Sequence, residues 1–543
     1  MQRVLRAATA LLVGWLVVVS GSGVAFADTD RKSAVTADHG KFKELDQDFQ
    51  SGPEVTRACL VCHTEAADQV MHTQHWKWEF VNPKSKELVG KRHVVNNYCT
   101  SAVSNLHACT SCHVGYAGLT DKGGLSTDPE RVDCLVCHDT TGSYRKPSGL
   151  NGNVFAKDVE MPPGSGNIIR GTNLKRIAQN VGKTSRQTCG SCHFFGGGGD
   201  GVKQGEMDSS LEEPDKSIDV HMNADGLNFT CATCHQTEGH HVPGSRYAPT
   251  AVDKDPARLR GMTGERNPAT CQSCHGQTPH KGDQADRLDS HSRVLACQTC
   301  HVPAMARGGV STMLSWDWST AGKRDEKGKP LSIRDDLGNP IYKGHKGTST
   351  FGDNVKPDYI WFNGDVEYTL PTEKIESAQR PIYINKFLGS PEDGRSKIWP
   401  IKTHVGKQPY DPVNKTLAVT QLAGANDTAY WTNLNWERAV AAGMKTAGLP
   451  FSGQVGFIET VSQWPVNHMV APKENTVGCS ECHTKGGRLD KIEGIYITGR
   501  DSTPWLDNAM RVLVVLTLLG VVAHGAMRIL MSKKRQTRNL GDH

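Results

Sequence analysis

The chain is poor in the material of an ordinary core. Of its 543 residues only 37 % are hydrophobic and 6 % aromatic, although a chain of this length is too long for one small domain. It also lacks a strong charge of either sign, with a formal net charge of +5. No long basic run faces an aromatic cluster, so nothing marks a nucleic-acid binder. Long apolar runs are confined to the two ends. Unpaired cysteine is nearly absent as well, because 16 of the 17 cysteines recur in one pattern.

That pattern is C-x-x-C-H, present eight times: Cys59/Cys62/His63, Cys109/Cys112/His113, Cys134/Cys137/His138, Cys189/Cys192/His193, Cys231/Cys234/His235, Cys271/Cys274/His275, Cys297/Cys300/His301 and Cys479/Cys482/His483. One C-x-x-C suits a redox dithiol and two suit a zinc ribbon. Neither requires a histidine directly after the second cysteine in every copy. Two thiols at this spacing can form thioethers with both vinyl groups of one haem, and the adjacent histidine then reaches the iron. The reading is eight covalently bound c-type haems. Seven motifs crowd between 59 and 301, leaving few residues per haem. The porphyrins must then supply much of the apolar interior, which explains the shortage of hydrophobic side chains, and they lie close enough for electron hopping.

The ends agree. Arg3 and Arg6 precede "AATALLVGWLVVVS", and "AFA" at 25–27 is a small-residue cleavage site, so 1–27 reads as a signal peptide. Residues 28–57 read as a polar, loose lead-in, and 58–504 as the haem-bearing body. The apolar run in 505–531 reads as a single-pass transmembrane anchor, with Trp505 at the outer interface and Arg511 and Arg528 snorkelling. The basic tail 532–543 contains "KKRQTR", which places it in the cytoplasm. The chain would thus sit in a bacterial cytoplasmic membrane with its haem domain on the periplasmic side.

Between 302 and 478 the sequence offers Gly/Pro/Asp-rich loops, short extended stretches ("DVEYTL", 365–370; "PIYIN", 381–385) and a helix over 426–448. Another helical segment is expected around 490–505. The expected fold class is mainly α with long loops and little sheet, a multihaem cytochrome c fold with a haem-packed core.

Each six-coordinate haem needs a second axial ligand. Fifteen histidines lie outside the motifs: 39, 72, 75, 93, 107, 221, 240, 241, 280, 291, 345, 404, 468, 524 and 543. His39, His524 and His543 fall in the lead-in, span and tail, which makes them poor candidates. His524 more readily makes a local contact than ligates a partner's haem. Enough histidines remain for eight bis-histidine haems, so counting alone singles out no iron.

Several blocks are more specific: "ACLVCHTEAADQVMHTQHWKWE" (58–79), "HVVNNYCTS" (93–101), "CTSCHVGY" (109–116), "DCLVCHDTTGSY" (133–144), "CGSCHFFGGGGDGVKQGEMDSSL" (189–211), "ACQTCHVPAMARG" (296–308), "HVGKQPYDPVNKTL" (404–417) and "PVNHMVAPK" (465–473). Through them the chain resembles the octahaem c-type cytochromes of the tetrathionate reductase family, more distant relatives of the hydroxylamine oxidoreductases, over roughly 55–490. The resemblance implies seven bis-histidine haems and one active haem, the second, whose distal ligand is a lysine with an aspartate three residues before it. Here Asp200 and Lys203 have that spacing, His113 is the proximal ligand, and Cys99, the unpaired cysteine, matches a cysteine near the active haem. Lys183 competes with Lys203, and Lys281 is a weak match to a second pocket lysine. For distal ligands the matches favour His75, His93, His221, His291, His404 and His468, plus one of His240 and His241, of which His241 is taken. His280 is the main rival, His72 competes with His75, and His107 and His345 read as surface or near-pocket residues.

The activity implied is periplasmic reduction of a small inorganic anion, tetrathionate to thiosulfate, fed by a haem chain from a quinol-oxidising or cytochrome b partner. Reduction of nitrite or hydroxylamine, or hydroxylamine oxidation, is the close alternative, although no block matches the tyrosine-bearing segment of the oxidising enzymes. A pure electron conduit from the quinone pool is a third reading.

Overall fold

The computed structural model describes residues 36–539 apart from 99, 120–123, 162, 163, 165, 245–268, 377–380 and 425. The signal peptide, Cys99 and His543 therefore lie outside the described residues.

In the first 300 residues the backbone follows the motifs. A C-x-x-C-H segment wound as one helical turn puts both cysteines on one face and the histidine just beyond. Five motifs close that turn with the same bond, the histidine N–H donating to the first cysteine's carbonyl: His63 (2.9 Å), His138 (3.1 Å), His235 (2.8 Å), His275 (3.0 Å) and His483 (2.9 Å). The second motif differs. Thr110–Cys112 is a 3₁₀ turn, His113 N–H donates to Thr110 at 3.0 Å, and His113 itself is extended at ψ 144°. Around the first three motifs Val55, Trp76, Tyr116, Leu135, Leu174 and Ile177 form an apolar core. Leu45 and Phe49 join it, so the supposedly loose lead-in is folded from residue 36 onward.

The expectation of little sheet is overturned. Ten strands of one sheet run from residue 312 to 465: β1 (Thr312–Asp317), β2 (Ser332–Ile333), β3 (Tyr342–Lys343), β4 (Gly347–Gly352), β5 (Asp358–Phe362), β6 (Val366–Tyr368), β7 (Ile382–Phe387), β8 (Lys397–Asp411), β9 (Thr416–Leu417) and β10 (Gly456–Pro465). Their order is β6-β7-β10-β8-β1-β4-β3-β2, with β5 and β9 also pairing β8. The β7–β10 and β8–β1 pairs are parallel. The central strand β8 spans fifteen residues and is largely buried along both faces. It hides from sequence patterning because Pro400 and Pro409 sit inside it and four of its buried positions are polar: Lys402, His404, Gln408 and Asp411.

The helix expected over 426–448 is two, Tyr430–Asn433 and Trp436–Thr446, the second capped by Asn435, with Gly448 left-handed at φ +68° just beyond. The segment before residue 504 is turns rather than helix. A 36-residue helix, Pro504–Asn539, follows. It is the one described helix long and apolar enough to cross a membrane, and none of its apolar window is buried against the body.

Candidate functional site

Two imidazoles ligating one iron have a predictable separation. A metal–nitrogen bond of about 2.0 Å and about 1.1 Å from nitrogen to ring centre, on each side, put the centres about 6.2 Å apart. Seven of the eight motif histidines face a second imidazole at this distance. The pairs are His63 with His39 at 6.3 Å, His138 with His240 at 6.4 Å, His193 with His75 at 6.2 Å and His235 with His468 at 6.4 Å. His275 faces His221 at 6.0 Å, His301 faces His280 at 6.3 Å, and His483 faces His291 at 6.1 Å.

The second nitrogens are held too. Nδ1–H donates to a backbone carbonyl from His138 (Gly182, 2.8 Å), His235 (Pro243, 2.9 Å), His291 (Arg287, 2.7 Å) and His483 (Thr498, 2.9 Å). His240 and His280 use Gln69 (2.8 Å) and Asp289 (2.6 Å). An imidazole held at Nδ1 presents Nε2 as a metal ligand. These residues therefore fit the haems that the motifs would attach.

The motif cysteines differ in how far the protein alone covers them. Cys62 and Cys274 do not lie in an interior: both are exposed, as are Cys234 and Cys479, while the other motif cysteines are half-buried. The physical reason is local. Cys234, Cys274 and Cys479 sit on single helical turns and Cys62 just past the end of the helix Gly52–Leu60, where the protein alone does not cover them. A thiol that must meet a vinyl group needs open approach, and the porphyrin itself would supply the apolar cover. Cys62 and Cys274 thus keep their place as attachment residues.

Where sequence matching pointed to His93, His241 and His404, the structure brings His39, His240 and His280 opposite a motif imidazole. His93 instead sits 3.1 Å from the Glu79 carboxylate. His241 is exposed, its neighbour His240 having turned inward at φ +63°. His404 is fully buried on β8, against the Tyr98 ring at 4.6 Å. The polar surroundings of His39 count against it in the sequence, yet Leu45 and Phe49 are the signal that this segment folds. His72 bonds the Asp68 carbonyl of its own helix.

His113 is the exception among motif histidines. Its ring packs against Trp76 and Trp78 at 5.2 and 4.9 Å, its Nε2 donates to the Trp76 carbonyl at 2.7 Å, and its Nδ1 is buried without a hydrogen-bond partner. Burial pulls its pKa down to about 3. Lys146 holds the motif from behind, donating to the His113 and Gly115 carbonyls at 2.6 and 3.1 Å and pairing with buried Asp133 at 3.0 Å.

Lys203 is only 7 % exposed, unusual for a lysine. Its ammonium lies over Trp464 (4.5 Å) and Tyr98 (5.7 Å). Its backbone is pinned from two sides. Tyr98 hydroxyl donates to the Lys203 carbonyl at 3.3 Å, and Lys402 Nζ donates to the carbonyls of Val202 (2.8 Å) and Lys203 (3.1 Å) and to Thr312 Oγ1 (2.5 Å). Lys402 is fully buried, which draws its pKa down to about 7 against the pull of Glu206. Asp200 accepts from the Ser209 backbone (2.9 Å) and hydroxyl, so it ties the loop together. The glycines before it are required by packing: a Cβ on Gly197 or Gly199 would lie 2.7 or 2.9 Å from Val202 methyls. A cavity of about 410 Å³ opens against this loop, lined by Gly198, Asp200, Val202, Trp316, Lys343 and Lys346 among others. Lys183 and Lys281, the other lysines considered, are exposed.

Comparison with known proteins agrees with this architecture. An octahaem cytochrome c from Shewanella oneidensis, solved by crystallography, is 35 % identical, with a TM-score of 0.72 over 83 % of this chain and 95 % of that one. The chain belongs to the octahaem cytochromes c. Residues 313–486 of this cytochrome also match the family described as bacterial cytochrome c. An uncharacterised protein of Archaeoglobus fulgidus is 25 % identical over 34 % of this chain and 74 % of its own length.

The motifs of this cytochrome touch one another through their cysteines. The sulfurs of Cys59 and Cys134, Cys112 and Cys192, Cys189 and Cys231, and Cys271 and Cys297 lie beside one another. Cys137 and Cys189, Cys234 and Cys271, and Cys300 and Cys482 lie within electrostatic reach. The motifs therefore run in space first, third, fourth, fifth, sixth, seventh, eighth, with the second branching from the fourth. Once haem is attached these sulfurs are thioethers and do not titrate.

Proposed function

We propose that this cytochrome is a membrane-anchored reductase, its body on the periplasmic side, that reduces a small inorganic anion at the second motif. Tetrathionate is the leading substrate: two electrons cleave its central sulfur–sulfur bond and release two thiosulfates. The haems, when bound, supply single-electron transfer and, at the second motif, an exchangeable ligand position. The observation that carries this reading is the missing imidazole. Among the described residues, seven motif histidines face a second imidazole and His113 does not, while a lysine is buried in an aromatic pocket.

In this reading His113 is the proximal ligand and Lys203 the distal one. A ligating lysine must be neutral. When displaced it takes up a proton, and the faces of Trp464 and Tyr98 give the resulting cation a resting place. Lys343 and Lys346 in the adjoining cavity favour an anion's approach. Asp200 positions the lysine loop, and Cys99, next to Tyr98 in sequence, would supply a thiol for sulfur exchange.

The test is catalytic voltammetry of residues 28–504 with tetrathionate, nitrite and hydroxylamine in turn, beside Lys203→Ala. Tetrathionate current that collapses in the variant supports the proposal. Current with nitrite or hydroxylamine alone reassigns the chemistry to nitrogen. Intact haem waves with no catalytic current for any of the three would leave an electron conduit.

A further inference from the structure

We propose that electrons enter this protein at the His291–His483 end, from a quinol-oxidising donor embedded in the membrane. The inference rests on reading the facing imidazoles as axial pairs and Pro504–Asn539 as the anchor, and it adds the place and direction of electron entry.

The carrying observation is a braced link between the eighth motif and the anchor. His483 Nδ1 donates to Thr498 O at 2.9 Å. Gly499 passes so close to His483 that a Cβ there would lie 2.4 Å from the His483 carbonyl oxygen, at a φ of +86°. Arg500 then locks the segment. Its guanidinium donates to the carbonyls of Leu489 and Ile492 at 2.6 Å and Ile495 at 2.9 Å, and pairs with Asp501 at 2.8 Å. Asp501 in turn accepts the Ile497 N–H at 2.7 Å. Leu489, Ile492 and Ile497 are buried with Ile398 and Tyr359, so the braced segment is part of the body.

Only Ser502 and Thr503 separate Asp501 from Pro504, a reach of at most about 11 Å for three peptide steps. The helix begins there at once, with Asp507 N–H donating to Thr503 O at 2.9 Å. Trp505, 71 % exposed at its start, has the side chain that favours a membrane interface. A link this short, leaving a segment braced as far as Asp501, holds the eighth site near the bilayer surface. The sulfur contacts make this site one terminus of the row, with the His39–His63 site at the other and the second motif branching between them. A quinol oxidised within the donor gives up two electrons and releases two protons there. The electrons pass singly into this end, so no proton need enter the cytochrome with them.

The test marks each terminus. A methionine-ligated ferric haem has a charge-transfer band that bis-histidine haems lack. His291→Met and His39→Met, each in the full-length protein in phospholipid vesicles, would place that band on the eighth or the first site. The reductant is a long-chain alkyl viologen radical confined to the bilayer, which donates one electron per molecule. Bleaching several-fold faster in His291→Met than in His39→Met supports the proposal. Equal rates, or faster bleaching in His39→Met, overturn it and make the first site the port. A variant with no new band but a new high-spin ferric signal still marks its site, and that signal is then followed in place of the band; neither a band nor a high-spin signal shows that its histidine is not an axial ligand, which overturns the pairing and the port together.

Discussion

His280→Ala and His404→Ala should behave oppositely, and the difference is set by geometry. His280 lies 6.3 Å from His301, within about 0.1 Å of the separation expected when one iron bridges two imidazoles. Its Nδ1 is anchored by Asp289 at 2.6 Å. His404, which sequence matching preferred, is buried on the strand face next to Tyr98, its Nδ1 accepting from the Asn97 amide at 3.1 Å. Removing His280 should convert one haem of eight from six-coordinate low-spin to five-coordinate or water-ligated high-spin. The low-spin ferric signal in electron paramagnetic resonance should then fall by about one-eighth, with a matching high-spin signal. Removing His404 should leave the low-spin signal intact and cost stability instead, about 1–3 kcal/mol for the unpartnered Asn97 amide, more if a cavity remains. The opposite outcome, spin change in His404→Ala and none in His280→Ala, would refute the geometric assignment. A milder variant, Asp289→Asn, should make His280 a weaker donor to iron and raise the potential of that haem alone.

Other consequences concern buried charge. Lys402, drawn down to about 7 by burial, is protonated in the unfolded chain but not in the folded one between about pH 7 and 10.5; stability should therefore rise with pH there, by about 2 kcal/mol from pH 7 to 9, and Lys402→Met should abolish the rise in urea titrations. Burial pushes Asp208 up to about 6. The folded state holds the extra proton between about pH 4 and 6, so stability should fall across that window by at most about 3 kcal/mol, and Asp208→Asn should flatten it. Lys146→Met should cost about 3–5 kcal/mol by stranding Asp133, and pairing it with Asp133→Asn should recover part of that loss in denaturation midpoints. A chain ending at Thr503 should retain its haem spectrum and leave the membrane fraction.

Local chemistry made much of this protein legible without a fold. Covalent haem attachment needs two cysteines and a histidine within one helical turn, and that requirement is written contiguously eight times. How far protein side chains cover each motif is another matter: Cys62 and Cys274 carry the same pattern as the half-buried cysteines yet are less covered by protein, because that cover depends on what packs around the turn. The C-terminal apolar helix is equally local, since length and side-chain polarity suffice. The distal ligands are not local. His280 meets His301 across a loop, and His39 reaches His63 from a segment whose only clue was a pair of apolar residues. At positions 240 and 241 a single backbone torsion chooses which neighbouring histidine faces His138. The sheet was hidden because its central strand interleaves prolines and buried polar residues, so neither alternation nor propensity marked it. A sequence lists candidate ligands. Which one lies about 6 Å from its partner, and which motif is left without one, follows from how distant segments pack.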